Sequence, residues 1–82
     1  IERIYTVPYL QSRRFELTNT SADTALNWTL SEDETTATNP WNSLAANTKS
    51  SLRSDNIAPN GEFLLVQNES ASDIVVELRV TE

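Results

Sequence analysis

Neither cysteine nor histidine occurs among the 82 residues of this chain. Without thiols there is no disulfide framework, and without Cys or His the usual zinc, iron and copper sites have no side-chain ligands. A serine or threonine nucleophile likewise has no imidazole to act as its base. Lysine occurs once, as Lys49 beside Ser50 and Ser51, with no apolar surroundings that would make its amine reactive. No apolar run approaches the ~20 residues that span a bilayer as a helix, and no charged-then-apolar leader opens the chain. The sequence therefore reads as soluble and non-enzymatic, with no cofactor and no metal expected. Ile1 is no normal translation start, so further residues are expected upstream.

Cations are scarce: six Lys and Arg stand against twelve Asp and Glu, giving a net charge of −6 and a pI near 4.4. Affinity for phosphates comes mainly from Lys and Arg displacing counterions, so neither nucleic acid nor an anionic membrane is expected as a partner. The few cations are scattered, and Arg13-Arg14 is the one adjacent basic pair. A chain this short makes one domain and buries roughly 60% of its unfolded surface. With no staple, such a core needs efficient packing, oligomerisation or docking on a larger body. A surface rich in Ser, Thr and Asn suits copies packed side by side or an external medium.

What the chain does have is a passage that occurs twice. Arg14-Phe15-Glu16-Leu17-Thr18-Asn19-Thr20-Ser21-Ala22-Asp23 is echoed by Phe63-Leu64-Leu65-Val66-Gln67-Asn68-Glu69-Ser70-Ala71-Ser72-Asp73, each followed by an apolar-alternating run. A strand-like segment meets an Asn-x-Ser turn and another leaves it, which predicts two β-hairpins. The first pairs residues 13–18 with 25–30, placing Leu26, Trp28 and Leu30 on the core side. The second pairs residues 62–67 with 74–81, with Ile74, Val76, Leu78 and Val80 inward and Glu77, Arg79 and Thr81 outward. Phe63 and Leu65 interleave with Leu64 and Val66, the mark of a strand covered on both faces. Ala58-Pro59-Asn60-Gly61 is a turn, with Pro presetting the second position and Asn-Gly accepting positive φ. The Asn-x-Ser/Thr sequons at Asn19, Asn27 and Asn68 are read as turn and strand residues rather than glycosylation sites.

Residues 1–10 alternate with Tyr5, Val7 and Tyr9 on one face, and Pro8 lacks a backbone donor. This segment is an edge strand of the domain or an arm that pairs with a neighbouring subunit. Residues 31–56 form a long polar excursion, of a kind that is functional, ordered by a partner, or hiding a short element. A two-turn helix is expected there, capped by Asn39, opened by Pro40 and presenting Trp41, Leu44, Ala45 and Thr48 on one face. A further short strand over residues 51–57 would be anchored by Leu52 and Ile57. The acidic run Glu32-Asp33-Glu34, with Asp55, is the sole candidate for a hard cation, but it lacks the spacing and glycine of a calcium loop. Trp41, Tyr5 and Tyr9 are the aromatics placed to anchor a protein interface or stack on a sugar.

The motifs Phe15 to Ser21, Ile57-Ala58-Pro59-Asn60-Gly61-Glu62, Asn68-Glu69-Ser70 and the alternating run at 74–80 together resemble the small β-sandwich modules of tailed-phage virions, such as capsid decoration or cement proteins. The resemblance covers about residues 15–80. It implies a non-enzymatic subunit that binds at symmetry-related positions on a shell and reinforces it. The expected fold is all-β, a small antiparallel sandwich or open barrel of about six strands with one short helix in the central loop, forming one domain over residues 1–82. The expected partners are copies of itself, in a homo-oligomer such as a trimer, and a larger shell such as a major capsid protein, with the virion as its location. Candidate interface residues are Tyr5, Val7, Tyr9, Arg13, Arg14, Trp41 and Leu44. The competing expectation is a glycan- or surface-binding module of a secreted or virion protein, carried by Trp41 and the tyrosines.

Overall fold

The computed structural model describes residues 1–55, 58 and 61–81. Among these residues lie seven strands and no helix: β1 (Glu2–Val7), β2 (Ser12–Asn19), β3 (Leu26–Ser31), β4 (Asn42–Leu44), β5 (Thr48–Asp55), β6 (Glu62–Gln67) and β7 (Val76–Thr81). They form two antiparallel sheets, one in the order β1-β6-β3-β4 and one in the order β5-β2-β7. Period-two alternation sets the faces. On β2, Phe15, Leu17 and Asn19 are buried while Arg14, Glu16 and Thr18 turn away, and on β7 half-buried Val76, Leu78 and Val80 alternate with exposed Glu77, Arg79 and Thr81.

The two echoed segments do not close hairpins. β2 pairs with β5 and β7, and β3 pairs with β4 and β6, so the chain changes sheet between β2 and β3 and again between β6 and β7. A tight hairpin closes in two to five residues, whereas packed sheets stand about 10 Å apart and need a longer connection. The repeat is nonetheless a structural unit, because the same asparagine chemistry builds both crossings. Asn19 Oδ1 accepts the Ser21 N–H at 3.0 Å and its Nδ2 donates to the Thr24 carbonyl at 2.8 Å. Asn68 Oδ1 accepts the Ser70 N–H at 2.9 Å and its Nδ2 donates to the Ser72 carbonyl at 2.8 Å.

Both sheets feed one core. One buried cluster joins Phe15 of β2 to Val7 and Leu64 of the other sheet, and a second joins Leu17 of β2 to Leu26 and Leu44. Half-buried Trp28 packs against both. Each fully buried apolar side chain of this size contributes about 1.5 to 3 kcal/mol of transfer free energy. β6 is covered on both faces, with Leu64 and Leu65 fully buried and Phe63 nearly so. On the reverse face the Arg3 guanidinium lies over the Phe63 ring, 6.0 Å from its centroid. Glu34, in the loop after β3, reaches the same Arg3 at 2.6 Å.

The middle segment contains strands where a helix was expected. Residues 42–44 pair with β3, placing Leu44 opposite Leu26 in the core. A helix of two turns is marginal in water, and the ladder to β3 satisfies the same backbone while still burying Leu44. Asn39 caps no helix; its Nδ2 donates to the Leu30 carbonyl at 2.7 Å. The short strand expected over residues 51–57 is the longer β5, with Ile57 outside the described residues. β1 occupies an edge of its sheet and stops at Val7, so Tyr9 does not share a face with Tyr5. A register shift between Arg3 and Tyr5 lets both Ile4 and Tyr5 pack on the core. Ahead of β6 the Gly61 N–H donates to the Ala58 carbonyl at 3.1 Å, while Pro59 and Asn60 of the expected turn lie outside the described residues. Gly61 sits at φ 97°, and an added Cβ would meet the Val7 carbonyl oxygen at 3.0 Å.

Candidate interaction surfaces

The expected interface residues separate into groups. Val7 and Leu44 lie in the core, 0% and 4% exposed, and present no side chain to a partner. Tyr5 is half-buried, its ring edge-on to Phe15 with centroids 5.2 Å apart. Trp41 is half-buried ahead of β4. Arg13 and Arg14 are adjacent in sequence but point to opposite faces of their sheet. Arg13 is half-buried, with Nη1 donating to the Ser12 carbonyl at 2.8 Å, while Arg14 is exposed.

Tyr9 stands at the tip of a turn closed by the Gln11 N–H donating to the Pro8 carbonyl at 3.0 Å. Its neighbour Leu10 adopts φ 62°, a left-handed conformation uncommon for any residue other than glycine. Tyr9 and Leu10 are 51% and 68% exposed. The turn therefore holds a large aliphatic side chain in a strained backbone position and points it at solvent. Leu10 was missed because residues 1–10 read as one strand; the signal was Pro8, which ends the ladder.

The outer face of the three-stranded sheet is the second surface. Cross-strand register places Arg14, Glu16 and Thr18 beside Arg53, Ser51 and Lys49 on one flank and beside Thr81, Arg79 and Glu77 on the other. Ser12 and Asp55 complete it. Four of the six cations thus share one face with three carboxylates, leaving two cations and nine carboxylates for the rest of the sequence. Scattered along the chain, the cations are gathered by register. Lys49 Nζ lies 2.8 Å from Glu16 Oε2, and Arg53 Nε lies 3.1 Å from Asp55. Arg14 faces Arg53 directly and has no ion pair with any described residue.

Lys49 holds the Glu16 carboxyl below its ordinary value of 4.5, first by hydrogen bonding and then by its charge, with Arg79 adding to the effect. A depressed carboxyl favours the folded state above the ordinary value, and that contribution is lost as pH falls through the folded pKa. In an NMR titration of the side-chain carboxyls, Glu16 is expected to protonate below the ordinary range and to return toward it in Lys49→Ala. Asp33 provides the control. Its carboxyl is lowered by the Thr35 N–H, the Thr35 hydroxyl and the Thr36 N–H, so it should titrate unchanged in that variant.

The acidic run is already engaged within the chain. Asp33 Oδ1 accepts the Thr35 and Thr36 N–H groups at 2.8 and 3.0 Å, and Glu34 is paired with Arg3. Asp55 lies apart, on Ser12 and Arg53. No group of three metal-ligating side chains comes together among the described residues. An open cleft of about 430 Å³ separates β1 from β7, lined by Ile4, Leu26, Val66, Ile74 and Val76, with Glu2 and Asp73 exposed beside it. No helix is long and apolar enough to cross a membrane among the described residues. No protein-family model, curated protein or solved structure matches the chain.

Proposed function

We propose that this chain is a non-enzymatic structural subunit, a small β-sandwich that docks on a capsid or related protein shell of a virion and stabilises it. A subunit that binds only the assembled shell shifts the assembly equilibrium by mass action. The observation that carries this reading is the strained turn tip. An exposed leucine in a left-handed conformation costs about 1 to 2 kcal/mol relative to an ordinary one, and paired with Tyr9 it offers a rigid apolar anchor of the kind that dominates interfaces. Arg14 supports the reading, because a cation facing Arg53 is ready for a carboxylate on a partner.

Leu10→Gly separates fold from function. Glycine relieves the backbone and removes the anchor, so urea denaturation should show a gain of about 1 kcal/mol. Co-sedimentation with shells of the particle whose genome encodes the chain should fall at least about tenfold, the usual loss for an interfacial anchor. Undiminished co-sedimentation of a stabilised Leu10→Gly chain would sink the proposal.

A further inference from the structure

We propose that β7 pairs with β7 of a second copy of this chain, antiparallel about a two-fold axis at Leu78, joining the two three-stranded sheets into one of six strands. This deepens the subunit reading above and rests on it in requiring that the chain assemble. Each sheet has two edges, and both edges of the four-stranded sheet are poor templates for a further strand. β1 carries a register shift, is followed by Pro8, and is tied down by the Arg3–Glu34 bridge, devices that discourage strand addition. β4 is three residues long. In the three-stranded sheet both β5 and β7 are regular edges, and the sequence of β7 is the one that fits a copy of itself. β7 has six residues in unbroken register with β2 and no proline.

The backbone phase of that edge follows from the crossing before it. The Thr20 N–H donates to the Val75 carbonyl at 3.2 Å, continuing the register that sets Asn19 opposite Val76. In an antiparallel ladder, hydrogen-bonded pairs alternate with unbonded ones. Residues 77, 79 and 81 therefore direct their backbone groups at β2, and Val76, Leu78 and Val80 direct theirs at the free edge. A copy centred on Leu78 meets those groups with its own in matching phase.

The side chains complete the argument. Val76-Glu77-Leu78-Arg79-Val80 is self-complementary when reversed. Centring on Leu78 places Val76 opposite Val80 of the second copy and Glu77 opposite its Arg79, twice over by symmetry. Side chains opposite one another must lie on the same face, so the neighbouring symmetric registers centre on Glu77 or Arg79 and set like charges together. Such pairs are destabilising. The favoured register also extends a row already present: Lys49 lies against Glu16, and Glu16 sits opposite Arg79. Glu77 of the second copy would continue it with alternating sign. On the inner face, the half-buried Val76, Leu78 and Val80 would gain apolar neighbours.

Charge reversal tests the register. Glu77→Arg sets two arginines opposite each other in a homodimer, and Arg79→Glu sets two carboxylates. Each should weaken self-association at least about tenfold in sedimentation equilibrium. An equimolar mixture restores both opposite-charge pairs, so it should associate about as tightly as the unaltered chain. Glu77→Arg leaves the Glu16–Arg79 contact intact, and an unchanged tryptophan NMR signature certifies its fold. An unaltered chain that stays monomeric at millimolar concentration would overturn the pairing even if it bound shells. A mixture no tighter than its components would do the same. Dimers that obey the charge pattern yet ignore shells would establish the pairing and remove the docking reading.

Discussion

Replacing Asn19 with alanine is expected to lower the free energy of unfolding by about 3 kcal/mol, while the same change at Asn68 costs about 1 kcal/mol. The two asparagines occupy equivalent places in the echoed crossings and make the same local bonds. They differ in burial. Asn19 is 0% exposed, and its Nδ2 also donates to the Leu44 carbonyl at 3.1 Å, tying the crossing to β4. Alanine there leaves the Leu44 carbonyl without a buried donor and removes the partner of the part-buried Thr24 carbonyl and Ser21 N–H, and a buried unpaired group costs about 1 to 3 kcal/mol. Asn68 is exposed, so water takes over its duties. A domain of this size has about 4 to 12 kcal/mol in all, so Asn19→Ala should be visibly destabilised in urea. Equal shifts in the two variants would show that burial is not what separates them. Full burial also leaves Asn19 no room for a glycan.

The echoed segments show how much of this architecture could be read from residue order. Alternation is a local property, so the inward residues of β3 and β7 and the doubly covered β6 were legible from the pattern alone. Pairing is not local. The Asn-x-Ser turns carry the same local signature whether the following strand folds back beside its predecessor or crosses to the other sheet. What decides between these is the placement of β5 and β7 beside β2, set by long-range burial of Phe15 and Leu17. The helix expected around Trp41 failed for a related reason. Leu44 satisfies a helical spacing with Trp41 and an extended register with Leu26 equally well, and the available edge of β3 decided the outcome.

The candidate surfaces show the same division. Tyr9 was visible as an unabsorbed aromatic, but Leu10 became notable only once its backbone angle was known. Arg14, Lys49, Arg53 and Arg79 come from three strands, and no spacing in the sequence announces that they share a face. Arg13-Arg14 looked like a basic pair, and strand geometry divides it between two faces. Charge gathered by register is invisible to composition, which reports a net of −6 for a chain with a mixed-charge sheet face.

That face depends on the packing beneath it, which makes Phe15 the most costly position to truncate. Phe15→Ala is expected to lose about 4 kcal/mol, whereas Phe15→Leu should lose about 1.5 kcal/mol because it keeps most of the volume. Phe15 is fully buried on the central strand of its sheet, flanked by Leu52 and Val80 in register, and reaches across to Val7 and Leu64. Few side chains are free to collapse into the space it would leave, since the backbone around it is fixed by ladders on both sides. Its edge-on contact with Tyr5, at an interplanar angle of 71°, adds about 0.5 to 1.5 kcal/mol beyond area. A double-mutant cycle of Phe15→Leu with Tyr5→Leu isolates that contribution, and additive losses would show the rings to be uncoupled. Arg14 and Glu16 flank Phe15 on the same strand with the opposite orientation. Loosening the inward residue frees the outward pair from its register, so Phe15→Ala should weaken shell binding and β7 pairing even under conditions where the chain remains folded.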